Sequence, residues 1–150
     1  MRRLDEVERK LFGEAVGRTY GDEHYLKSME LLIAGEGRVR ACTSETLQVV
    51  DSLKKVLAAG VYVAKWKYWG VILSVEGSQL LREENTINTV ELDGEMARKW
   101  MMGAPVPLRD WNGQKIVVGR YRGFMLGSAI VGRDGVAYPQ IPKWRRLQEE

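Results

Sequence analysis

Lys115-Ile-Val-Val-Gly-Arg-Tyr121 and Phe124-Met-Leu-Gly-Ser-Ala-Ile-Val131 are two runs rich in β-branched and aromatic residues, joined by Arg122-Gly123. Such runs read as antiparallel strands with a turn at the glycine. Glycine recurs at short intervals around them, at 113, 119, 123, 127, 132 and 135, which suits a small, sharply bent barrel better than a flat sheet. Asp134-Gly135 is the next hairpin signal. Upstream, Pro105 and Pro107 hold the chain extended, and Asp93 caps a helix over 94–102 with Met96 and Trp100 on one side and Gly103 placed to stop it. The carboxyl-terminal half therefore reads as a small, sharply bent β-barrel carrying one helix.

The amino-terminal half alternates helix and strand signals. Leu4, Val7, Leu11, Ala15 and Val16 recur at helical spacing, with acidic residues in the first turn where they complement the helix dipole. Met29–Ala34 and Arg38–Thr43 are strand-like runs around the glycine pair of Gly35-Glu-Gly37. Thr43 or Ser44 then caps a second helix whose stripe is Leu47, Val50, Leu53, Val56 and Leu57, ended by Gly60. Two further strands are predicted, Val61–Trp66 and Gly70–Val75, joined around Lys67-Tyr68-Trp69. The second is apolar on both faces, as for a central strand. A short helix over 76–84 and a strand over 86–92 complete the order. The expected fold class is α+β, with a small amino-terminal α+β domain over 1–82 and a β-barrel domain over 83–150.

Composition narrows the chemistry. With Cys42 the sole cysteine and His24 the sole histidine of 150 residues, an internal disulfide, a Cys/His zinc site and any two-histidine arrangement are excluded. No apolar run reaches the roughly 18–20 residues of a membrane-spanning helix, and the charged amino terminus has no signal-peptide character, so a cytoplasmic protein without membrane association is expected. Charge is unevenly placed: residues 1–108 hold 15 basic and 16 acidic side chains, whereas residues 109–146 hold 8 basic and 2 acidic. A positive field confined to one quarter of the chain points to a polyanionic partner.

Gly123-Phe-Met-Leu-Gly-Ser-Ala-Ile-Val131, followed by Pro139-Gln-Ile-Pro142-Lys-Trp-Arg-Arg-Leu147, resembles the PUA-type RNA-binding modules attached to Nop/Sun RNA cytosine-5 methyltransferases, and most of all the stand-alone archaeal forms of that module. The order of elements before it is similar to the pre-PUA domain of the Nip ribosome-biogenesis factors. The resemblance implies a pre-PUA unit followed by a PUA barrel that binds structured RNA, ribosomal or transfer, in ribosome biogenesis, rRNA processing or RNA modification. It implies partners such as an RNA methyltransferase or a ribosome-assembly factor. Methyltransferase activity does not carry over: Cys42 lies in Ala41-Cys-Thr43 rather than beside a proline, and no Gly-x-Gly-x-x-Gly loop is present. No cofactor and no catalytic residue are expected.

RNA is held through phosphate and 2′-hydroxyl contacts and by planar groups stacked on unpaired bases. The residue types fit at Lys143-Trp144-Arg145-Arg146, which Pro139 and Pro142 keep extended, and at Lys115, Arg120 and Arg122 along a strand whose charged edge also guards against aggregation. Trp144 reads as a buried anchor. In Lys65-Trp66-Lys67-Tyr68-Trp69, alternation puts Trp66 and Tyr68 at the junction of the two halves and leaves Lys65 and Lys67 to phosphate. Arg109 beside Trp111 reads as an exposed loop. Asp22-Glu23 and Glu83-Glu84 read as solvated acids, His24 as a surface residue and Cys42 as core. The expectation is that the cations of 109–146 converge on one continuous surface. The alternative function is an adaptor that guides an RNA-modifying enzyme.

Overall fold

The structure is a computed structural model that describes residues 1–45 and 60–148. The second helix expected from the Leu47–Leu57 stripe lies outside the described residues. The described elements run β1 (Arg2–Arg3), α1 (Glu6–Tyr20), β2 (Glu30–Ala34), β3 (Arg38–Cys42), β4 (Val61–Lys67), β5 (Gly70–Leu73), α2 (Val75–Ser78), β6 (Thr89–Glu91), α3 (Gly94–Met101), β7 (Val106–Pro107), β8 (Ile116–Tyr121), β9 (Phe124–Val131) and β10 (Val136–Pro139), with short 3-10 turns at Gly35–Gly37, Glu83–Asn85 and Lys143–Arg145. The fold is α+β, built on two five-stranded sheets. The first is an antiparallel meander, β1-β2-β3-β4-β5; the second has the order β6-β8-β9-β10-β7, with β6 parallel to β8 and the rest antiparallel. No helix among the described residues is long and apolar enough to cross a membrane.

Helix α1 starts at a capping box: the Asp5 carboxylate accepts from the Glu8 N–H, and Glu8 accepts in return from the Asp5 N–H. Arg2 donates both guanidinium nitrogens to the same Glu8 at 2.7 Å. These bonds hold the Glu8 carboxyl down at about 2. The buried stripe of α1 is Phe12, Ala15, Val16 and Tyr20, whereas Val7 and Leu11, which the spacing also assigned to the core face, are exposed. The apolar docking of the helix is concentrated in its last two to three turns, while Arg9 in its second turn reaches Glu30 of β2.

Strand β5 corrects a second expectation. Apolar on both faces, it is nonetheless the last strand of its sheet. Its burial comes from the other half of the chain. Ile116, Val118 and Met125 share one apolar cluster with Phe12, Val16, Val71 and Leu73. The open edge of β5 is closed by side chains: Tyr20 donates to the Val71 carbonyl at 2.6 Å, and the Leu73 N–H donates to Ser128 Oγ at 2.9 Å.

The second sheet curls because β8 and β9 do not stay in simple register. Val118 faces Ser128 and Arg120 faces Met125, so Gly119 stands against two residues, and Gly127 takes a φ of +86°. This bulge bends the sheet around α2, whose Ser78 Oγ accepts the Gly127 N–H at 2.9 Å. On the other face Trp100 of α3, completely buried, lies so close to Gly119 that a Cβ there would come within 2.7 Å of the indole. Asp93 caps α3 by accepting from the Met96 N–H. The expected helix over 76–84 is shorter: α2 is one turn, Val75–Ser78, capped by Ser74.

Burial also sets phenol chemistry. Tyr20 and Tyr25 are buried, with the Tyr25 hydroxyl donating to the Gly77 carbonyl, and loss of solvation pushes both phenols above the usual tyrosine range. Asp22, expected in solvent, is buried and accepts the backbone N–H groups of His24 and Arg82, fastening the segment between the sheets to the end of α1.

Candidate nucleic-acid interface

The basic residues singled out from sequence fall in several separate places. Lys115 precedes β8 and Arg122 follows it, so the strand itself holds them roughly 20 Å apart. β8 runs between β6 and β9 and is not an edge strand. Arg120 is held by two carboxylates, Glu91 of β6 and, at 3.4 Å, Glu83. Arg122, exposed in the turn at a φ of +49°, lies 5.2 Å over the Tyr121 ring.

The carboxyl-terminal cations form another group, and the extended conformation expected there is replaced by a 3-10 turn over Lys143–Arg145. Arg145 donates to Glu76 of α2 at 2.9 Å. Arg146 donates to the Ile141 carbonyl and lies against Gly103, just past the end of α3, where a cation complements the helix dipole. The Leu147 N–H donates to the Met101 carbonyl, so the tail itself is docked there. Lys143 is exposed and unpaired among the described residues. Trp144, expected as a buried anchor, is 75% exposed. Of the cations of 109–146, Arg120 and Arg145 are therefore tied to carboxylates and Arg146 to a backbone carbonyl.

In the first sheet Lys65 stands in register between Arg38 of β3 and Ile72 of β5, and Lys67 closes β4 opposite Gly70. Trp66 packs edge-on against Phe12 at 5.5 Å. Tyr68, placed by alternation beside Trp66, is fully exposed, because β4 ends at Lys67 and the turn begins there. The ring that meets the other half is Trp69.

Trp69 forms one side of a cleft of about 490 Å³ shared by both halves, a grouping that the sequence pattern does not suggest. Trp111, Lys115 and Arg133 line it too, above the apolar side chains of Ile116, Ile130 and Val131. Each part is fixed locally. The two-residue turn Tyr68-Trp69 is pressed against β8 because Gly70 leaves no Cβ before Ile116 Cδ1, which an added carbon would meet at 2.6 Å. Trp111 is oriented by donating its indole N–H to the Gln114 carbonyl at 2.8 Å and by resting over Gly135, at a φ of +80°. Lys115 is placed by its carbonyl, which accepts the Val131 N–H at the end of the β8–β9 ladder. Asp134, next to Arg133, turns back to accept the Val136 N–H. No carboxylate lines the cleft, and neither Lys115 nor Arg133 has an ion pair among the described residues.

Two larger concavities differ in charge or in aromatic access. One along α1, of about 710 Å³, mixes Arg9, Lys10, Arg18 and Lys27 with Glu14 and Glu23, and its rings, Phe12 and Tyr25, are buried. A groove of about 560 Å³ beside β6 has Glu91, Asp93 and Asp110 against Arg109 alone. Among the described residues, no group of three or more His, Cys, Asp or Glu side chains is placed to hold a metal ion.

The feature that could have revealed the cleft in the sequence is the pairing of Lys115 with Trp111 and of Arg133 with Gly132, each at a loop leading into or out of the β8–β9 hairpin. What sequence does not reveal is that Trp69 joins them. The chain matches no protein-family model, and a search of curated proteins finds no match.

Proposed function

We propose that this protein is a non-catalytic RNA-binding protein, with a pre-PUA-like unit over 1–82 leading into a PUA-like barrel over 83–150, acting on structured rRNA or tRNA in ribosome biogenesis or RNA modification in the cytoplasm. The observation that carries this reading is the cleft in which Lys115 and Arg133, free of carboxylate partners among the described residues, stand beside two accessible indoles. Cations of this kind can bind phosphate without first breaking an ion pair. Arg122 and Lys143 extend the same chemistry elsewhere on the second half, and Lys65 and Lys67 on the first. Arg120 and Arg145 contribute less, because RNA would have to displace Glu91 or Glu76.

The test is the salt dependence of binding to a structured RNA, measured by gel shift. Affinity should fall steeply with salt, and Lys115→Ala with Arg133→Ala should lower the slope of log K against log salt by about 2, one for each phosphate that the protein no longer neutralises. Arg120→Ala should leave the slope unchanged. Absence of salt-dependent RNA binding by the wild-type chain would refute the reading.

One observation favours a second reading, an adaptor for an RNA-modifying enzyme: Trp144 and Leu147 are both exposed on the docked tail. Partner capture that survives nuclease treatment and is abolished in Trp144→Ala would support it.

A further inference from the structure

The cleft between the two halves differs from a simple phosphate patch in one respect: its base is apolar. Ile116 and Val131 are buried, Ile130 is half-buried, and the accessible face of Trp69, 48% exposed, stands over them. A duplex presents its phosphates outward and keeps its bases stacked, so it can reach the cations at the rim and leave the apolar base of the cleft wet. An unpaired nucleotide fits both parts at once. Its base is flat, aromatic and largely apolar on its faces, which suits the indoles of Trp69 and Trp111. Its phosphates suit Lys115 and Arg133.

A volume of about 490 Å³ is within the range of small-ligand sites. The indole N–H of Trp111 is already committed to Gln114, which leaves its ring as a fixed plane. The indole N–H of Trp69 has no acceptor among the described residues and is open to a base edge. We infer that this cleft receives a single unpaired base of the RNA, with its neighbouring phosphates on Lys115 and Arg133, so that the protein prefers bulged, looped or single-stranded positions to continuous helix. This rests on the RNA-binding reading above and specifies the substrate class of the same site.

The experiment compares three fluorescently labelled RNA hairpins with the full chain by anisotropy: one fully paired, one with a single-nucleotide bulge, and one with the bulged nucleotide made abasic. The bulged hairpin should bind about tenfold more tightly than the other two, in line with the usual size of base–aromatic stacking. The preference should disappear in Trp69→Ala and persist in Trp69→Phe, while the salt-dependent background remains. Because the bulged and abasic RNAs are compared on the wild-type protein, the conclusion does not depend on a variant folding. Equal binding of all three hairpins would overturn the inference and leave RNA binding standing. No binding to any of them would overturn both. Tighter binding of an acidic peptide carrying an aromatic residue than of the bulged RNA would reassign the cleft to a protein and overturn the inference as well.

Discussion

The hydroxyls of Tyr20 and Ser128 lie 2.5 Å apart in the buried junction of the two sheets. Their partners fix the direction of the bond. Ser128 Oγ accepts from the Leu73 N–H, and Tyr20 donates its proton to the Val71 carbonyl, so the Ser128 hydroxyl donates to the Tyr20 oxygen. One relay thus satisfies two backbone groups on the free edge of β5, with side chains drawn from α1 and β9.

Removing either hydroxyl should therefore destabilise the whole protein. Ser128→Ala leaves the Leu73 N–H buried without an acceptor, and Tyr20→Phe deprives the Val71 carbonyl of its donor, each at a cost of about 1–3 kcal/mol. Because the two groups bond to each other, the double variant should lose less than the sum of the singles, by about 0.5 kcal/mol or more. Urea unfolding of the four proteins measures this, and strict additivity would contradict the relay.

Gly77 predicts a packing effect. A Cβ at this position would come 2.0 Å from the Val63 carbonyl oxygen, so α2 sits directly on the backbone of β4. Gly77→Ala should destabilise by about 1–3 kcal/mol by forcing helix and strand apart. Gly35→Ala, which would meet nothing within 4 Å, should stay within about 0.5 kcal/mol of wild type. Equal thermal midpoints for the two variants would show that α2 can move away freely.

The Glu8 carboxyl predicts a pH effect. Its pKa is held at about 2 by the Arg2 guanidinium and the Asp5 N–H, below its ordinary value of 4.5. A carboxyl lowered by folding stabilises the native state above its unfolded pKa, and that contribution fades as pH falls from 4.5 through about 2. NMR titration of the Glu8 carboxyl carbon should show a midpoint near 2 in the wild type and a rise toward 4.5 in Arg2→Ala. The pair lies at the surface, so added salt should weaken the effect. An unchanged midpoint in Arg2→Ala would remove the guanidinium as the cause.

The hairpins were legible from sequence because their determinants are local. Gly35-Glu-Gly37 marks the β2–β3 turn, and Gly37 takes a φ of +76° under the Trp66 carbonyl, where a Cβ has no room. The β8–β9 pair follows from its alternation and its glycines. Determinants distant in sequence were not legible. Arg120 reads as a phosphate ligand until Glu91 and Glu83, 29 and 37 residues away, are brought to it. Asp22 reads as solvated until the Arg82 N–H arrives from 60 residues on. The alternation that turns Trp66 inward, where it meets Phe12, fails two residues later, because a turn resets the side-chain directions at Tyr68. The site suffered most, since it joins a turn of the first sheet to two loops of the second.

The relay also bears on synthesis. Ser128 lies 55 positions after Leu73, so at about 5–20 residues per second the completed first sheet waits roughly 3–11 s for its closing hydroxyl. Tyr20, made earlier, can already cover the Val71 carbonyl, but throughout that interval the Leu73 amide remains open to any passing strand. Chaperone demand should therefore peak late in translation and end as β9 emerges.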